Sequence, residues 1–194
     1  MLKRRKMATL AVFCYYKAMC RLVLPSIKYK KSFLENFLPF KKLGYNSWGK
    51  YYSNQNLIKI DFTSFVKFIR SQSKGKNLPK GYVPCTVFWL VEKNNLIGYL
   101  SLRHELTKHL RKNGGHIGYE IVPKYRGHGY GNLILNLGLR KARLLGIKNV
   151  LLACGANNLR SKRVIESNGG KYEGWSAQGK GKPHKLRYWI KTKI

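Results

Sequence analysis

A glycine-rich turn is the part of this sequence whose residue types and spacing best suit ligand chemistry. Gly127, Gly129 and Gly131 alternate with larger residues in the segment from Arg126 to Asn132, here called the glycine turn. Because glycine has no side chain and tolerates positive φ, several main-chain N–H groups of such a turn can point at one anion. A following helix adds its positive N-terminal end, and a pyrophosphate fits this arrangement.

The glycine turn does not match two common phosphate-binding motifs, the P-loop and the Rossmann fingerprint. It lacks the Gly-Lys-Ser/Thr ending of a P-loop, and it follows the fourth predicted strand, whereas a Rossmann fingerprint follows the first. A Rossmann site also needs an acidic residue about 20 residues downstream, and the next acid here is Glu166. A tight turn without a ligand is the remaining alternative.

The elements around the turn follow from apolar periodicity and capping residues. A strand is predicted at 20–24, and Ser26 and Asp61 are predicted to cap two helices. The remaining elements are strands at 86–92, 97–103 and 116–122, a helix at 132–145, a strand at 149–154, a helix at 159–168, and strands at 171–175 and 185–194. The strand at 149–154 is expected to run parallel to its neighbour. This order predicts an α/β (α+β) domain with a mixed sheet flanked by helices.

The chain is strongly basic. Its 194 residues include 39 Lys and Arg and only seven Asp and Glu, which gives a net charge of +32. One explanation is association with a polyanion such as RNA, the ribosome or an anionic membrane. The other is a lysine-rich composition, since the basic residues are scattered through the chain. The four cysteines form no CxxC pair and have no metal-ligand spacing, so the expected compartment is the cytoplasm and no metal site is predicted.

The first residues differ from the rest of the chain. A basic run at 3–6 is followed by an apolar stretch that Tyr15, Tyr16 and Lys17 interrupt, and it is too short to span a bilayer. We therefore interpret 1–18 as a basic extension, either disordered or an over-extended start, and 19–194 as a single domain.

The order of the motifs resembles that of the GNAT acetyltransferase superfamily. Arg126-x-x-Gly129-x-Gly131 is similar to the R/Q-x-x-G-x-G/A signature with which these enzymes bind the pyrophosphate of coenzyme A. Downstream, the runs at 157–161 and 164–170 are similar to the family's segment after its fifth strand. Together with 82–84 and 88–91, the likeness covers roughly residues 20 to 175.

The resemblance implies a GNAT fold with a mixed central sheet of about six to seven strands, about four helices, and a fourth and fifth strand that splay apart. It also implies acetyl-CoA as the acetyl donor. The implied cofactor-binding residues are Ile121, Val122, Arg126, Gly127, His128, Gly129, Tyr130, Gly131, Asn132, Asn158 and Ser161. In this assignment the main chain of Ile121 and Val122 lines the thioester and pantetheine, the glycine turn holds the pyrophosphate, and Asn158 and Ser161 lie at the pantetheine arm.

Acetyl transfer to an amine requires a proton acceptor, because a lysine-type amine with a pKa of about 10.4 is protonated at neutral pH. Glu120, on the strand that leads into the glycine turn, and Glu105, after the preceding strand, are the carboxylate candidates. His116 and His104 are further candidates, since an imidazole titrates near neutrality. A structural role is the alternative for both histidines.

One position departs from the family pattern. Many GNAT enzymes place a tyrosine in the last helix to protonate the leaving thiolate, and the equivalent residue here is Ile165. Another residue or water must therefore supply that proton.

The sequence limits the acceptor only broadly. A cleft for a polycationic amine needs several carboxylates, which seven acids in the whole chain hardly provide, so an acceptor with negative charge fits better. The predicted activity is N-acetylation of a primary amine on a small molecule, peptide or protein. The alternative is a catalytically weak GNAT-fold module that binds RNA or the ribosome, and the sequence leaves monomer and homodimer both open.

Overall fold

A computed structural model describes residues 19–42, 61–76, 78 and 80–193, and the side chains of all of these except 37–42. The predicted extension at 1–18 lies outside the described residues. The strands are β1 Arg21–Val23, β2 Cys85–Glu92, β3 Asn95–Arg103, β4 Ile117–Ile121, β5 Asn149–Gly155, β6 Lys171–Ser176 and β7 Lys185–Lys191. The α-helices are α1 Lys30–Lys42, α2 Phe62–Ser71, α3 Lys108–Asn113, α4 Tyr130–Leu144 and α5 Leu159–Ser167.

The strands form two antiparallel sheets with the orders β1-β2-β3-β4 and β5-β7-β6. The mixed α/β architecture is as predicted. The strand predicted at 149–154 exists as β5, but the expectation that it runs parallel to its neighbour is wrong, because β5 pairs with β7 in the antiparallel direction. A single bridge between Gly115 and Leu152 joins the two sheets. Beyond this bridge β4 and β5 share no ladder in the described part of the chain, so a gap opens between them.

Of the two helix caps predicted from the sequence, Asp61 caps its helix directly, whereas Ser26 caps a 3-10 turn that precedes its helix. The Asp61 side chain accepts hydrogen bonds from the main-chain N–H groups of Thr63 and Ser64, as expected for the N-cap of α2. Ser26 caps a short 3-10 turn, Ile27–Tyr29, and α1 begins directly after that turn. Helix α3 was not predicted, because its six residues are too few for an apolar periodicity.

Two apolar clusters lie on opposite faces of the four-stranded sheet. Helix α4 packs on one face, where Ile134 and Leu135 are fully buried against Leu100 and Leu102 of β3. Helices α1 and α2 cover the other face around Trp89 and Phe33. Each large side chain buried in this way contributes roughly 1.5–3 kcal/mol, so β2 and β3 are packed on both faces.

Among the described residues, no helix has both the length and the apolar character needed to cross a bilayer.

Candidate active site

The gap between β4 and β5 is a cleft of about 1180 Å³. Residues of β3, β4, the glycine turn, β5 and α5 line it, as does Lys185 at the start of β7. Ligand pockets usually measure about 300–1,000 Å³, so this cleft has room for a long ligand and a second, smaller one.

The glycines of the turn serve two different purposes. Gly127 and Gly129 have φ values of 83° and 75°, which a residue with a side chain adopts only at a cost. Gly131 lies in α4, where a Cβ atom would stand 3.1 Å from Cγ2 of Val164 in α5. The first two glycines therefore set the path of the main chain, and the third allows α4 and α5 to approach each other.

The N-terminus of α4 presents main-chain amides to which an anion can bind. Gly129 is its N-cap and provides no side chain to accept a hydrogen bond. The first hydrogen bond into the helix runs from the N–H of Leu133 to the carbonyl of Gly129 at 3.3 Å. The amides of Tyr130, Gly131 and Asn132 precede it and lie at the positive end of a 15-residue helix, at the wall of the cleft.

Charge in the cleft is almost entirely positive. Its described lining includes the cationic side chains of Arg103, Arg126, Arg160, Arg163 and Lys185. Glu120 is the single carboxylate among the described residues that line the cleft. An anionic ligand therefore meets a favourable potential here.

Glu120 is held by hydrogen bonds at both carboxylate oxygens. The Tyr99 hydroxyl donates to Oε2 at 2.9 Å, and Nη2 of Arg126 donates to Oε1 at 3.1 Å. The Glu120 side chain is 15% exposed. Burial raises the pKa of this carboxyl above its ordinary value, and the Tyr99 hydrogen bond and the Arg126 charge only partly oppose the rise.

The side chain of Arg126 lies against β4. The prediction that the segment from Arg126 to Asn132 holds a pyrophosphate stays a prediction. In this structure the guanidinium of Arg126 folds back along β4, where Nε donates to the carbonyl of Ile121 at 2.9 Å. The same guanidinium forms the ion pair with Glu120. Its side chain thus connects the glycine turn to the candidate base.

The other three candidate bases lie outside the cleft lining. His116 is 8% exposed, and its Nδ1 accepts the main-chain N–H of Leu151 at 2.9 Å. Burial, and then the charges of Arg111 and Arg103, lower the pKa of His116 to about 4. This histidine is therefore neutral and links β4 to β5.

His104 and Glu105 follow the end of β3. Nε2 of His104 lies 2.8 Å from the hydroxyl oxygen of Thr86, and burial lowers the pKa of this imidazole while the charge of Glu105 opposes the shift. Glu105 is exposed. The structure does not bring either side chain together with Glu120.

Most of the predicted cofactor residues do line the cleft. They are Ile121, Arg126, Gly127, Gly129, Tyr130, Gly131, Asn132, Asn158 and Ser161. Val122 is buried and His128 is exposed, and neither belongs to the described lining. Asn158 also caps α5, because its Oδ1 accepts the N–H of Ser161 at 3.1 Å.

A hydroxyl pair across the cleft was missed from the sequence. Tyr119 Oη of β4 lies 3.4 Å from Ser161 Oγ of α5, and both residues line the cleft. Burial raises the pKa of Tyr119 to about 12, so its hydroxyl is protonated. Ile165, at the position expected for a tyrosine, is 1% exposed and packs in the core. The sequence feature that could have identified Tyr119 as a cleft residue is its position next to Glu120 on the same strand.

Two further cleft residues, Ser101 and Arg103, come from β3. The β3–β4 register pairs Ser101 with Gly118, so these residues reach the cleft from the strand next to the edge strand β4. No local sequence pattern indicates such a placement, which depends on the register alone.

Comparisons with known proteins agree with this geometry. A model of the acetyltransferase (GNAT) family matches residues 55–169, which is more than half of the chain. The chain is similar in structure to the microcin C7 self-immunity acetyltransferase MccE in complex with acetyl-CoA and AMP, with a TM-score of 0.63, 18% sequence identity, and coverage of 89% of this chain and 92% of that one. No curated protein sequence matches significantly.

Two solved structures of ribosomal-protein acetyltransferases are similar as well. RimL, a ribosomal L7/L12 alpha-N-protein acetyltransferase in complex with coenzyme A, has a TM-score of 0.62 at 17% identity and covers 89% of this chain and 94% of its own. An acetyltransferase from Salmonella typhimurium that modifies the N-terminal serine of L7/L12 has a TM-score of 0.62 at 19% identity, with coverages of 89% and 95%. At these identities the likeness shows the fold.

The described residues fit coenzyme A on structural grounds. The amides at the uncapped end of α4 suit its pyrophosphate, and Arg160 and Arg163 of α5 suit further phosphate charge. The gap between β4 and β5 provides the slot that a pantetheine arm needs.

Proposed function

The chain belongs to the GNAT acetyltransferase family and uses acetyl-CoA as its acetyl donor, and we propose that the acceptor is a primary amine of a small molecule, peptide or protein. The observation that carries this proposal is Glu120, the one carboxylate in the described cleft lining. An amine must lose a proton to become a nucleophile, and Glu120 is placed to accept it.

Two groups of residues are assigned to cofactor binding, one for the pyrophosphate and one for the pantetheine arm. The amides of the glycine turn and of the first turn of α4 hold the pyrophosphate, and the main chain of Ile121, with Asn158 and Ser161, borders the pantetheine arm. When bound, acetyl-CoA supplies its acetyl group as an activated thioester.

Glu120 acts as the general base. Its carboxylate accepts the proton that the protonated amine must lose before it can attack. The neutral nitrogen then bonds to the acetyl carbon as the carbon–sulfur bond breaks, and the second proton that the nitrogen loses balances the one that the thiolate takes up. The raised pKa of the buried carboxyl brings its basicity closer to neutral pH, which favours proton transfer. Tyr99 and Arg126 orient both oxygens and so act as positioning residues.

The departing thiolate also needs a proton, and the candidate donor is the Tyr119–Ser161 hydroxyl pair, in which Tyr119 lies on the opposite face of β4 from Glu120. Tyr119 is protonated in the resting protein, as a general acid must be. Ser161 lies within 3.4 Å of it and can pass a proton on.

The similar RimL structures support an amine acceptor, since RimL is an alpha-N-protein acetyltransferase. The cytoplasm is the proposed compartment, in keeping with the thiols of Cys85 and Cys154, which form no disulfide in the described structure.

A panel of acceptors tests the proposal. Purified protein and acetyl-CoA are incubated with primary amines, and with matched alcohols as controls, while thiol release and acceptor mass are followed. Amine-dependent thiol release with addition of one acetyl group to the nitrogen is expected. Acetylation of the alcohols alone would contradict the proposal, and stabilisation by RNA without any acetyl-CoA effect would favour the basic binding module.

A further inference from the structure

A row of side chains leads away from Glu120 along the same face of the sheet. The register of β3 and β4 pairs Tyr99 with Glu120 and Ser101 with Gly118. Because side chains two residues apart share a face of a strand, Arg103 continues the row on β3. We call Tyr99, Ser101, Arg103, Gly118 and Glu120 the acceptor row.

Gly118 leaves a notch in this row. A Cβ atom at this position would lie 3.0 Å from Oγ of Ser101 and 3.9 Å from both Nη1 and Nη2 of Arg103. The side chain of Arg103 therefore extends along the strand, and its guanidinium lies next to the notch. Gly118 lies two residues before Glu120, which corresponds to about 7 Å along an extended strand.

The charge of Arg103 is not matched by an acid among the described residues. Nη1 donates to the carbonyl of Gly115 at 3.0 Å, and the ion pairs found in the described chain involve other residues. Ser101 donates its hydroxyl hydrogen to the carbonyl of Gly118. The remaining hydrogen-bond donors at the notch thus belong to the guanidinium.

The groups that surround Arg103 do not supply a negative charge either. Cys85 lies opposite Arg103 on β2, and burial raises the pKa of its thiol to about 11, so the sulfur is neutral. His116 is neutral or, when protonated, cationic. Arg111, near His116, and Lys185, across the cleft, add further positive charge. A cation without a counter-ion in a half-buried site favours an anionic ligand.

We propose that the acceptor amine carries a carboxylate a few bonds from its nitrogen, and that Arg103 binds this carboxylate while the nitrogen faces Glu120. The inference rests on the proposed N-acetyltransferase function and names its substrate class. An α-amino acid with a hydrogen bond of about 3 Å at each end is comparable in length to the spacing of about 7 Å between Gly118 and Glu120 along the strand. An amine with a carboxylate a few bonds away occurs both in free amino acids and in peptides with an acidic residue at the amino terminus.

Matched pairs of acceptors test Arg103. The pairs are L-alanine with L-alaninamide, and a peptide that begins with Asp with the same peptide that begins with Asn. In the wild-type enzyme kcat/KM is expected to favour the carboxylate member of at least one pair by about tenfold or more, as for a charge-assisted hydrogen bond. The pair with the larger preference identifies the source of the carboxylate.

Substitution shows whether Arg103 causes the preference. Arg103→Gln is expected to remove it through a higher KM for the carboxylate member, with kcat and acetyl-CoA affinity little changed, and Arg103→Lys is expected to retain part of it. Arg111→Gln removes a nearby exposed charge and serves as the matched control, which should keep the preference. Retained stabilisation by acetyl-CoA verifies that each variant is folded.

The outcomes separate this inference from the proposed function. If amides and carboxylates are acetylated equally, or if Arg103→Gln leaves the ratio unchanged, the inference is overturned while the N-acetyltransferase assignment stands. If no amine releases thiol at all, both are overturned.

Discussion

The two halves of the cleft differ in the groups that we propose for ligand recognition. The cofactor half consists of the glycine turn and the start of α4, a continuous segment whose main-chain amides lie at an uncapped helix end. The acceptor half is the acceptor row, whose side chains come from two paired strands. Recognition by the main chain requires small residues at fixed spacing and so leaves a motif in the sequence, whereas recognition by side chains across strands leaves none.

The two halves should also differ in their response to amino-acid substitutions. A substitution in the glycine turn changes the path of the main chain or blocks an anion site. A substitution in the acceptor row changes one side chain and leaves the backbone as it is. The first kind should therefore affect cofactor binding, and the second kind catalysis or acceptor choice.

The largest expected effect is that of Gly129→Asp on the cofactor half. A side chain at φ 75° is strained, and the new carboxylate would stand at the anion site. At ligand concentrations near 100 times the wild-type Kd, about 2.7 kcal/mol of stabilisation by acetyl-CoA should disappear, and turnover with it. Thermal-shift titration with acetyl-CoA measures this loss.

Gly81→Asp is the matched control for that variant. Gly81 also has a positive φ of 83°, and a Cβ there meets nothing within 4 Å. The control should lose a similar amount of intrinsic stability but keep its response to acetyl-CoA. An equal loss of response in both variants would mean that backbone strain, not the anion site, explains the result.

Glu120→Gln is expected to have the next largest effect, in the acceptor half. Removal of a general base typically lowers turnover by about 10²–10⁴-fold, and acetyl-CoA affinity should stay within about twofold of wild type. Steady-state kinetics with a reactive amine, paired with the titration above, measures both quantities. A loss of less than about tenfold would show that Glu120 is not the base.

His116→Ala should affect stability more than catalysis. It leaves the buried N–H of Leu151 without its acceptor, which costs about 1–3 kcal/mol of unfolding free energy. Since the folded pKa of about 4 lies below the ordinary 6.5, the wild type should lose stability as pH falls from 6.5 towards 4. The variant should lack this part of the pH dependence.

Denaturant unfolding at several pH values tests this assignment, with His104→Ala as the comparison. The His104 ring forms a hydrogen bond with the Thr86 hydroxyl, which is part-buried, and not with a buried main-chain N–H, so its removal should cost less. A large loss of turnover in His116→Ala, with stability unchanged, would assign this histidine to the chemistry instead.

Tyr99→Phe should have the smallest effect. Its hydroxyl stabilises the charged form of Glu120, so its removal raises the pKa of this carboxyl further. Because the base works only when deprotonated, the rising limb of kcat/KM should move to higher pH. Tyr119→Phe, on the opposite face of β4, should leave that limb in place, and identical profiles for both variants would contradict the role of Tyr99.

The sequence predicted the order of the strands and of every described α-helix except α3, and the segments that line the cofactor half. Those predictions depend on local patterns, such as the cap at Asp61, the alternation in β4 and the glycines of the turn. It did not predict that β5 pairs with β7, that Arg126 turns back to Glu120, or that Arg103 reaches the cleft. Each of these depends on contacts between segments far apart in the chain, which periodicity does not encode.

The most direct test of the division between the two halves is a crystal structure of the protein with coenzyme A and a carboxylate-bearing amine. The account predicts pyrophosphate oxygens at hydrogen-bonding distance, about 2.7–3.2 Å, from the amides at the start of α4, with the thiol directed towards Glu120 and the acceptor carboxylate at Arg103. A nucleotide bound beside Arg103, or a glycine turn folded away from the pyrophosphate, would contradict it.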